Sequence, residues 1–200
     1  MTKPKTKKKL KSGVRERANL HAPWRIKFIL GKRKPGCFLC DAARIPVGHE
    51  KRWKELLLLH RDEHSLIIMN KYPYGGGHLL IAPLRHTHEL PSLSEAESRS
   101  MWENARLAVA ALEKSMQPHG VNLGMNLGKA AGAGVEDHLH MHALPRWVGD
   151  TNFMIIVTGT HMVHSAMEDV WEELRPFFLK KSKVNAQKQI VEGNADNIPV

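Results

Sequence analysis

The side chains with the clearest potential for chemistry are three histidines at alternate positions, His138, His140 and His142. Because the side chains of a strand alternate between its two faces, a strand here would place all three imidazoles on one face, about 6.6 Å apart. The intervening Leu139 and Met141 would enter the core from the opposite face. Stability alone would favour Val or Ile at such positions, so the three histidines indicate a functional role.

Imidazoles arranged in this way could bind a metal ion or act as nucleophiles. A straight strand spreads its side chains too widely for all three to reach one ion at about 2.1 Å, although adjacent members could share one. A neutral imidazole, whose reference pKa is about 6.5, can attack phosphorus without first losing a proton. The segment Ala130–Gly134 directly precedes the histidines, and its backbone N–H groups could surround a phosphate. A plain tight turn is the alternative interpretation of this glycine-rich segment.

The two cysteines of the chain, Cys37 and Cys40, form a second candidate site. Their C-x-x-C spacing suits a metal site or a redox pair better than a disulfide framework. Two reduced, partly buried cysteines without a ligand are the alternative.

The composition predicts a globular body between two polar ends. Hydrophobic residues make up 42% of the 200-residue chain and charged residues 25%, close to globular averages. No apolar run approaches the roughly 20 residues that cross a bilayer, and the lysine-rich start leads into no apolar signal segment. We therefore expect a cytoplasmic protein without a membrane partner.

The net charge of +10 is concentrated at the start of the chain. Residues 1–17 carry eight Lys or Arg side chains and one Glu, which together contribute +7. A run of like charges without apolar residues stays solvated, so we predict a flexible basic tail over residues 1–19, a domain over residues 20–180 and a polar tail over residues 181–200. Lysine clusters bind phosphates without reading sequence, so the first tail is the one part of the chain that could contact nucleic acid.

Five short aliphatic runs predict strands. They are Leu56–His60, His64–Asn70, His78–Pro83, Val121–Leu127 and His138–Pro145. The first two are separated by a short polar turn, which predicts a hairpin.

Two helices accompany the predicted strands. Ser92-Leu-Ser-Glu95 matches a capping box, and apolar residues continue beyond it at helical spacing until Pro118. The segment Ala166–Leu179 predicts a closing helix. Successive strands crossed by one long helix favour an α+β fold over a doubly wound parallel sheet.

The histidine-rich segment resembles the signature of the histidine triad (HIT) superfamily, His-φ-His-φ-His-φ-φ, in which φ is an apolar residue. His138-Leu-His-Met-His142-Ala-Leu144 matches this signature in full. The likeness extends to Asn70–Tyr74, Pro83–His86 and Gly149–Phe153, and it covers most of the chain between the two tails. These segments resemble the bacterial branch that includes diadenosine tetraphosphate phosphorylases.

This resemblance implies a fold, an oligomer and a reaction. The HIT-like fold has a five-stranded antiparallel sheet with one long helix and a C-terminal helix, and two copies usually join into a ten-stranded sheet. The implied activity is cleavage of a nucleotide polyphosphate, by a diadenosine polyphosphate phosphorylase or hydrolase that acts at the α-phosphate through a covalent nucleotidyl-histidine intermediate. His140 would attack the phosphorus and His142 would donate a hydrogen bond to the leaving-group oxygen. No organic cofactor is implied.

The resemblance also implies a set of nucleotide- and phosphate-binding residues, which are Asn70, His78, Asn126, Gly132, Gly134 and Trp147. One departure from the family pattern bears on the substrate. Many hydrolase members carry Gly-Gln-Ser/Thr before the triad, with the Gln contacting the phosphates, where this chain has Ala133-Gly-Val135. The missing side chain disfavours simple dinucleoside triphosphate hydrolysis and fits the phosphorylase-like branch.

A zinc site is the second implied feature. Some bacterial members combine a C-x-x-C pair with two histidines into a closed four-ligand site, and the corresponding residues here are Cys37, Cys40, His86 and His138. The implied ion is a structural Zn²⁺. His88 lies two residues beyond His86 and could take its place as a ligand.

Two other functions remain open from the sequence. A nucleoside phosphoramidate hydrolase would use the same His140 chemistry. A non-enzymatic, zinc-containing module that binds nucleic acid or a nucleotide could use the Cys/His site and the basic tail, although no basic face interleaved with aromatic residues supports it.

Overall fold

In this computed structural model the described residues are 36–132, 135–150 and 166–180. Helices α1, α2 and α3 span Phe38–Ala43, Glu50–Leu56 and Glu95–Met116, and a fourth helix, α4, spans residues 167–180. Strands β1 to β5 span Leu58–Arg61, Ser65–Met69, Leu79–Pro83, Gly120–Met125 and Met141–Arg146, and short 3₁₀ turns span Leu90–Ser92 and Lys129–Ala131. None of the helices in these residues combines the length and apolar character of a membrane span.

The two tails that the sequence predicts, residues 1–19 and 181–200, lie outside the described residues. The domain limits at residues 20 and 180 are therefore untested and stay predictions.

The five strands form one antiparallel sheet in the order β1-β2-β3-β5-β4. β1 and β2 make the predicted hairpin. β5 lies between β3 and β4, where His142 is the partner of Leu80 on one side and of Gly124 on the other. The predicted α+β fold with a five-stranded antiparallel sheet is confirmed, and its register places the last triad histidine between two strands.

The core lies between the sheet and α3. All residues of β2 and β3 are buried, and α3 packs against β2, β3 and β5. The buried stripe of α3 includes Met101, Ala105, Ala108 and Leu112, at spacings of three and four residues. This stripe is the helical pattern that the sequence predicts.

The closing helix α4 packs on β1. Leu174 and Phe178 are fully buried, and the Trp171 indole N–H donates to the backbone oxygen of Leu58 at 2.9 Å. The predicted C-terminal helix is confirmed for residues 167–180.

The capping box of α3 lies two residues later than the sequence predicts. The N-cap is Ser94, whose hydroxyl accepts from the Glu97 amide at 3.2 Å, while the Glu97 carboxylate accepts from the Ser94 amide at 2.8 Å. Ser92 belongs instead to the preceding 3₁₀ turn, where its hydroxyl donates to the backbone oxygen of Glu89. The Ser92 hydroxyl is therefore hydrogen-bonded within this turn, and Ser94 caps α3 instead.

Two strands also begin two or more residues later than predicted. Leu56 ends α2, and Leu57 adopts a left-handed conformation with φ of +61°, so β1 starts only at Leu58. β5 starts at Met141 rather than at His138. Two of the three triad histidines therefore precede the strand.

Candidate active site and metal centre

His140 lies in the residues that lead into β5, and a backbone carbonyl fixes its ring. His140 Nδ1 lies 2.8 Å from the carbonyl oxygen of His138. Because a carbonyl oxygen only accepts, the ring carries its proton on Nδ1 and keeps a lone pair on Nε2. The side chain is only 5% exposed, and this burial lowers its pKa, so the ring is neutral at pH 7. Nε2 is therefore an unprotonated nitrogen suited to nucleophilic attack.

His142 carries the complementary protonation. The Tyr74 backbone N–H donates to His78 Nδ1 at 3.1 Å, which leaves the ring proton of His78 on Nε2. His78 Nε2 lies 2.8 Å from His142 Nδ1 and donates to it, so His142 holds its own proton on Nε2. Within the described part of the chain, that buried Nε2 has no hydrogen-bond partner. This N–H is therefore a donor that none of the described residues uses.

The electrostatics of His142 keep this arrangement intact at neutral pH. Burial, and then the charge of the neighbouring His140, lower the pKa of His142 to about 4. The ring is neutral at pH 7, and its single proton stays on the side opposite His78.

The aromatic rings of the site are closely packed. The His140 and His142 ring centroids are 4.9 Å apart, and His78 lies 5.1 Å from His142. Tyr74 stacks on His78 at 4.9 Å. A nucleophilic nitrogen and a hydrogen-bond donor therefore lie on adjacent rings, close enough to act on one phosphate.

The expectation that all three histidines share one strand face is wrong. β5 begins at Met141, so the period-two alternation does not extend back to His138 and His140. The ring of His138 contacts Cys37, with 3.2 Å between Nδ1 and Sγ, instead of lining the site beside His140. Only two of the three rings face the same site.

Asn70 lies next to the histidine pair. Its side-chain oxygen accepts from the Tyr72 backbone N–H at 2.9 Å, and its Nδ2 lies 3.3 Å from His78 Nδ1. Asn70 and the Tyr74 amide thus both face the same nitrogen of His78. The nucleotide contact that the resemblance implies for Asn70 stays a prediction.

The structure describes only part of the glycine-rich loop. The Gly132 amide donates to the Lys129 carbonyl at 3.0 Å within the 3₁₀ turn, and the Asn126 amide group reaches the Gly132 carbonyl at 3.5 Å. Gly132 adopts a φ of +85°, which favours glycine. Gly134 lies outside the described residues. Phosphate binding by this loop stays a prediction.

The turn after β5, which carries Trp147, is held by an ion pair. Arg146 donates to both carboxylate oxygens of Asp150, at 2.6 and 2.8 Å, and also to the Asn122 side chain of β4 at 3.0 Å. Trp147 is half-buried at the start of this turn. The nucleotide or phosphate contact that the resemblance implies for Trp147 is not tested by these hydrogen bonds.

The predicted metal ligands meet in one cluster. The ligand atoms of Cys37, Cys40, His86 and His138 all lie within 4.8 Å of one another, so the four residues could hold a metal ion. Cys40 Sγ lies 3.2 Å from His86 Nδ1, and the two imidazole Nδ1 atoms are 3.3 Å apart. His88 is exposed and lies beside Glu89, 3.7 Å from its carboxylate, so His86 is the histidine that faces the cysteines.

The protonation of His138 favours metal binding. Its Nε2 donates to the Pro83 carbonyl at 2.9 Å, which leaves a lone pair on Nδ1 directed at the cysteines. Burial is the main cause that lowers the pKa of His138. Burial, reinforced by Cys37, raises the pKa of the Cys40 thiol, so binding of an ion would release protons.

Sequence reasoning missed the groups that fix these protonation states. They are the carbonyls of Pro83 and His138 and the backbone N–H of Tyr74. Every residue has a carbonyl and nearly every residue an N–H, so no sequence pattern identifies the particular groups that act here.

Comparisons with known proteins agree with the fold and with the family resemblance. Residues 54–148 match the model of the HIT domain. The chain is 32% identical over 163 residues to the AP-4-A phosphorylase of Mycobacterium tuberculosis, which covers 78% of this chain and 84% of that protein. It is also 31% identical over 84 residues to a bis(5'-adenosyl)-triphosphatase of Dictyostelium discoideum, covering 42% of this chain and 56% of that one. The chain therefore belongs to the HIT family.

A solved structure supports the same fold. A Zn-bound histidine triad family protein from Mycobacterium smegmatis superposes with a TM-score of 0.57 at 24% identity, covering 74% of this chain and 97% of that one. The fold that the sequence resemblance predicts is thereby confirmed.

Proposed function

We propose that this protein cleaves nucleotide polyphosphates by transferring a nucleotidyl group to His140 and from there to an acceptor. The observation that carries the proposal is the complementary protonation of two adjacent rings, with a lone pair on His140 Nε2 and a proton on His142 Nε2. Nucleotidyl transfer needs a nucleophile for phosphorus and a donor for the leaving oxygen, and these two atoms supply one each.

In the first step, His140 Nε2 attacks the α-phosphorus. A P–N bond forms and the P–O bond to the leaving nucleotide breaks, while His142 Nε2–H donates a hydrogen bond to the departing oxygen. The proton on His140 Nδ1 stays in its bond to the His138 carbonyl, which stabilises the positive charge that develops on the ring. The leaving nucleotide departs as an anion and needs no proton at neutral pH.

In the second step, water or inorganic phosphate attacks the phosphorus and the P–N bond breaks. Its electron pair returns to His140 Nε2, and the proton lost by the acceptor passes to solvent. Each in-line displacement inverts phosphorus, so the two steps together retain its configuration. The protein contributes to this reaction mainly by positioning the substrate and by stabilising the charge that develops.

Diadenosine polyphosphates are the proposed substrates, with inorganic phosphate as the first-ranked acceptor. The relative that aligns over most of this chain is named AP-4-A phosphorylase, and the relative named as a triphosphatase aligns over a shorter segment. The chain also has Ala133-Gly-Val135 in place of Gly-Gln-Ser/Thr, and the missing Gln side chain favours the phosphorylase branch.

We propose that the metal in the Cys37, Cys40, His86 and His138 cluster is a structural zinc ion. Two thiolates and two imidazoles form the donor set that tetrahedral Zn²⁺ prefers. Four protein ligands would leave no open position for a substrate, so the ion would cross-link α1 to the sheet and take no part in the reaction.

We also propose that two copies join through the β4 edge into a ten-stranded sheet. β4 is the last strand of the sheet and exposes Leu123, and α3 exposes Trp102, which is 60% exposed. Uncovered strand edges with apolar residues are sites of association. Light scattering should give the dimer mass for the full chain and the monomer mass for Leu123→Asp, whereas Val47→Asp at another exposed apolar position should remain dimeric. A monomeric wild-type protein would contradict this assembly.

The activity is tested by a substrate panel on the full chain. We expect diadenosine tetraphosphate to be cleaved, with ADP appearing only when inorganic phosphate is present. AMP and ATP in phosphate-free buffer would instead identify a hydrolase of the same mechanism. Adenosine phosphoramidate tests the alternative substrate class. Failure to cleave any of these nucleotides would contradict the proposed function.

A further inference from the structure

His138 is shared between the two clusters of the site. Its ring nitrogen Nδ1 faces Cys37 at 3.2 Å and Cys40 at 3.5 Å. Its backbone carbonyl accepts the Nδ1 proton of His140 at 2.8 Å. One residue thus connects the metal-binding cluster to the ring that carries the nucleophilic nitrogen.

The sheet ladder does not extend to this residue. Pairing between β3 and β5 ends at Ile81 and Met141. Beyond that point the chain is held by contacts to the last residue of β3 and to the segment that follows it, because His138 Nε2 donates to the Pro83 carbonyl at 2.9 Å and the Leu139 amide donates to the Thr87 carbonyl at 2.6 Å.

The cluster supplies the remaining attachment. His86 lies between these two carbonyl acceptors in sequence, and its Nδ1 lies 3.3 Å from His138 Nδ1. Cys40 Sγ lies 3.2 Å from His86 Nδ1 and so connects the same segment to α1. An ion bound by these atoms would fix His86 and His138 relative to each other, and with them the peptide that carries the carbonyl acceptor for His140.

We propose that the Cys37, Cys40, His86 and His138 cluster positions the nucleophile, by holding the His138 carbonyl where it keeps the His140 proton on Nδ1. Cys37, Cys40 and His86 are then positioning residues for nucleotidyl transfer, beyond any contribution to stability. This inference rests on the proposed function for its catalytic consequence, whereas its structural consequence, the proton position on His140, is measurable without any substrate.

The direct test is the proton position on the His140 ring. Long-range ¹H–¹⁵N spectra of the full chain distinguish protonated from unprotonated ring nitrogens, and His140→Asn identifies the His140 signals among the 13 histidines. We expect a single Nδ1–H form in the zinc-loaded protein, a mixture of both forms after zinc is removed by a chelator, and return of the single form when zinc is added back. An unchanged Nδ1–H form in a stripped protein that keeps its sheet would overturn the inference.

The second test uses a variant of one proposed metal ligand, measured at saturating zinc. This test remains informative if the zinc-free protein unfolds. His86 is the exposed ligand, so His86→Ala keeps three ligands and the core. We expect the His140 proton to lose its single position and kcat to fall about tenfold with KM nearly unchanged, as is typical when groups behind a metal site or nucleophile are removed. His86→Cys, which restores a fourth ligand, should recover both readouts, and His88→Ala is the matched control that should alter neither.

The outcomes separate this inference from the proposed function. A wild-type protein that cleaves no nucleotide would contradict the proposed function, while the proton position on His140 would still decide the inference. Normal kcat and a single Nδ1–H form in His86→Ala would overturn the inference and leave the proposed function intact.

Discussion

The candidate metal cluster and the proposed nucleotidyl-transfer site both use a histidine, but with opposite ring nitrogens left unprotonated. His138 donates from Nε2 to the Pro83 carbonyl, which turns the lone pair of Nδ1 toward the two cysteines. His140 donates from Nδ1 to the His138 carbonyl, which leaves the lone pair of Nε2 free. The position of a carbonyl acceptor, and not the residue type, therefore decides which nitrogen of each imidazole keeps its lone pair.

The largest effect is expected from a substitution of His140, the proposed nucleophile. His140→Asn removes Nε2 but keeps an amide that can donate to the His138 carbonyl, so we expect turnover to fall by at least about 10⁴-fold with little change in the melting temperature. His88→Asn, an exposed histidine outside both clusters, is the control and should keep full activity. Substantial turnover by His140→Asn would contradict the mechanism.

A smaller effect is expected at the donor. His142→Asn retains an acceptor for the His78 proton but loses the Nε2–H that faces the leaving oxygen, so we expect kcat to fall about 10²–10³-fold. The loss should shrink for a nitrophenyl ester of AMP, whose better leaving group needs less stabilisation. Equal losses for both substrates would show that His142 acts elsewhere than on the leaving group.

The pH dependence of the free energy of unfolding should report the burial of His142. His142 has a pKa of about 4 in the folded protein against the ordinary 6.5, so between these values the unfolded chain binds the proton more readily. Stability should therefore be fully present above pH 6.5 and decline as the pH falls toward 4. Denaturant unfolding of His142→Asn should show a shallower decline than wild type, and parallel curves would contradict the assigned burial effect.

The smallest effect is expected at the N-cap of α3, which belongs to neither cluster. Ser94→Ala removes the N-cap of α3 and should lower the free energy of unfolding by about 1 kcal/mol. Ser98→Ala, within the first turns of the same helix, is the control and should cost much less. Zinc content and kcat should be unchanged in both variants, so a large loss of activity in Ser94→Ala would show that α3 has a closer connection to the site.

Much of the fold follows from the sequence because the aliphatic runs are long enough to be recognised. β2 and β3 lie inside the runs predicted for them, and the stripe of α3 keeps its helical spacing. The sequence pattern does not locate the capping box, because Ser92 and Ser94 are both followed by Glu three residues later. Only the 3₁₀ turn that ends at Ser92 distinguishes the two serines.

The site was predictable in its residues and less so in its geometry. The family resemblance predicts the four residues that could hold a metal ion, and they meet in one cluster. The strand pattern instead places all three histidine rings on one face, which is wrong because β5 begins only at Met141. The protonation of each ring depends on backbone groups that come together only in the folded chain.

The most direct test of the mechanism is capture of the nucleotidyl-enzyme. The full chain is mixed with diadenosine tetraphosphate in phosphate-free buffer and quenched within milliseconds in alkali, because phosphoramidate bonds are labile in acid. Trypsin then releases residues 130–146, which contain all three triad histidines, for fragmentation by mass spectrometry. We predict one AMP group on His140 in the wild type and none in His140→Asn. An adduct on another residue, or rapid turnover without any adduct, would contradict the account.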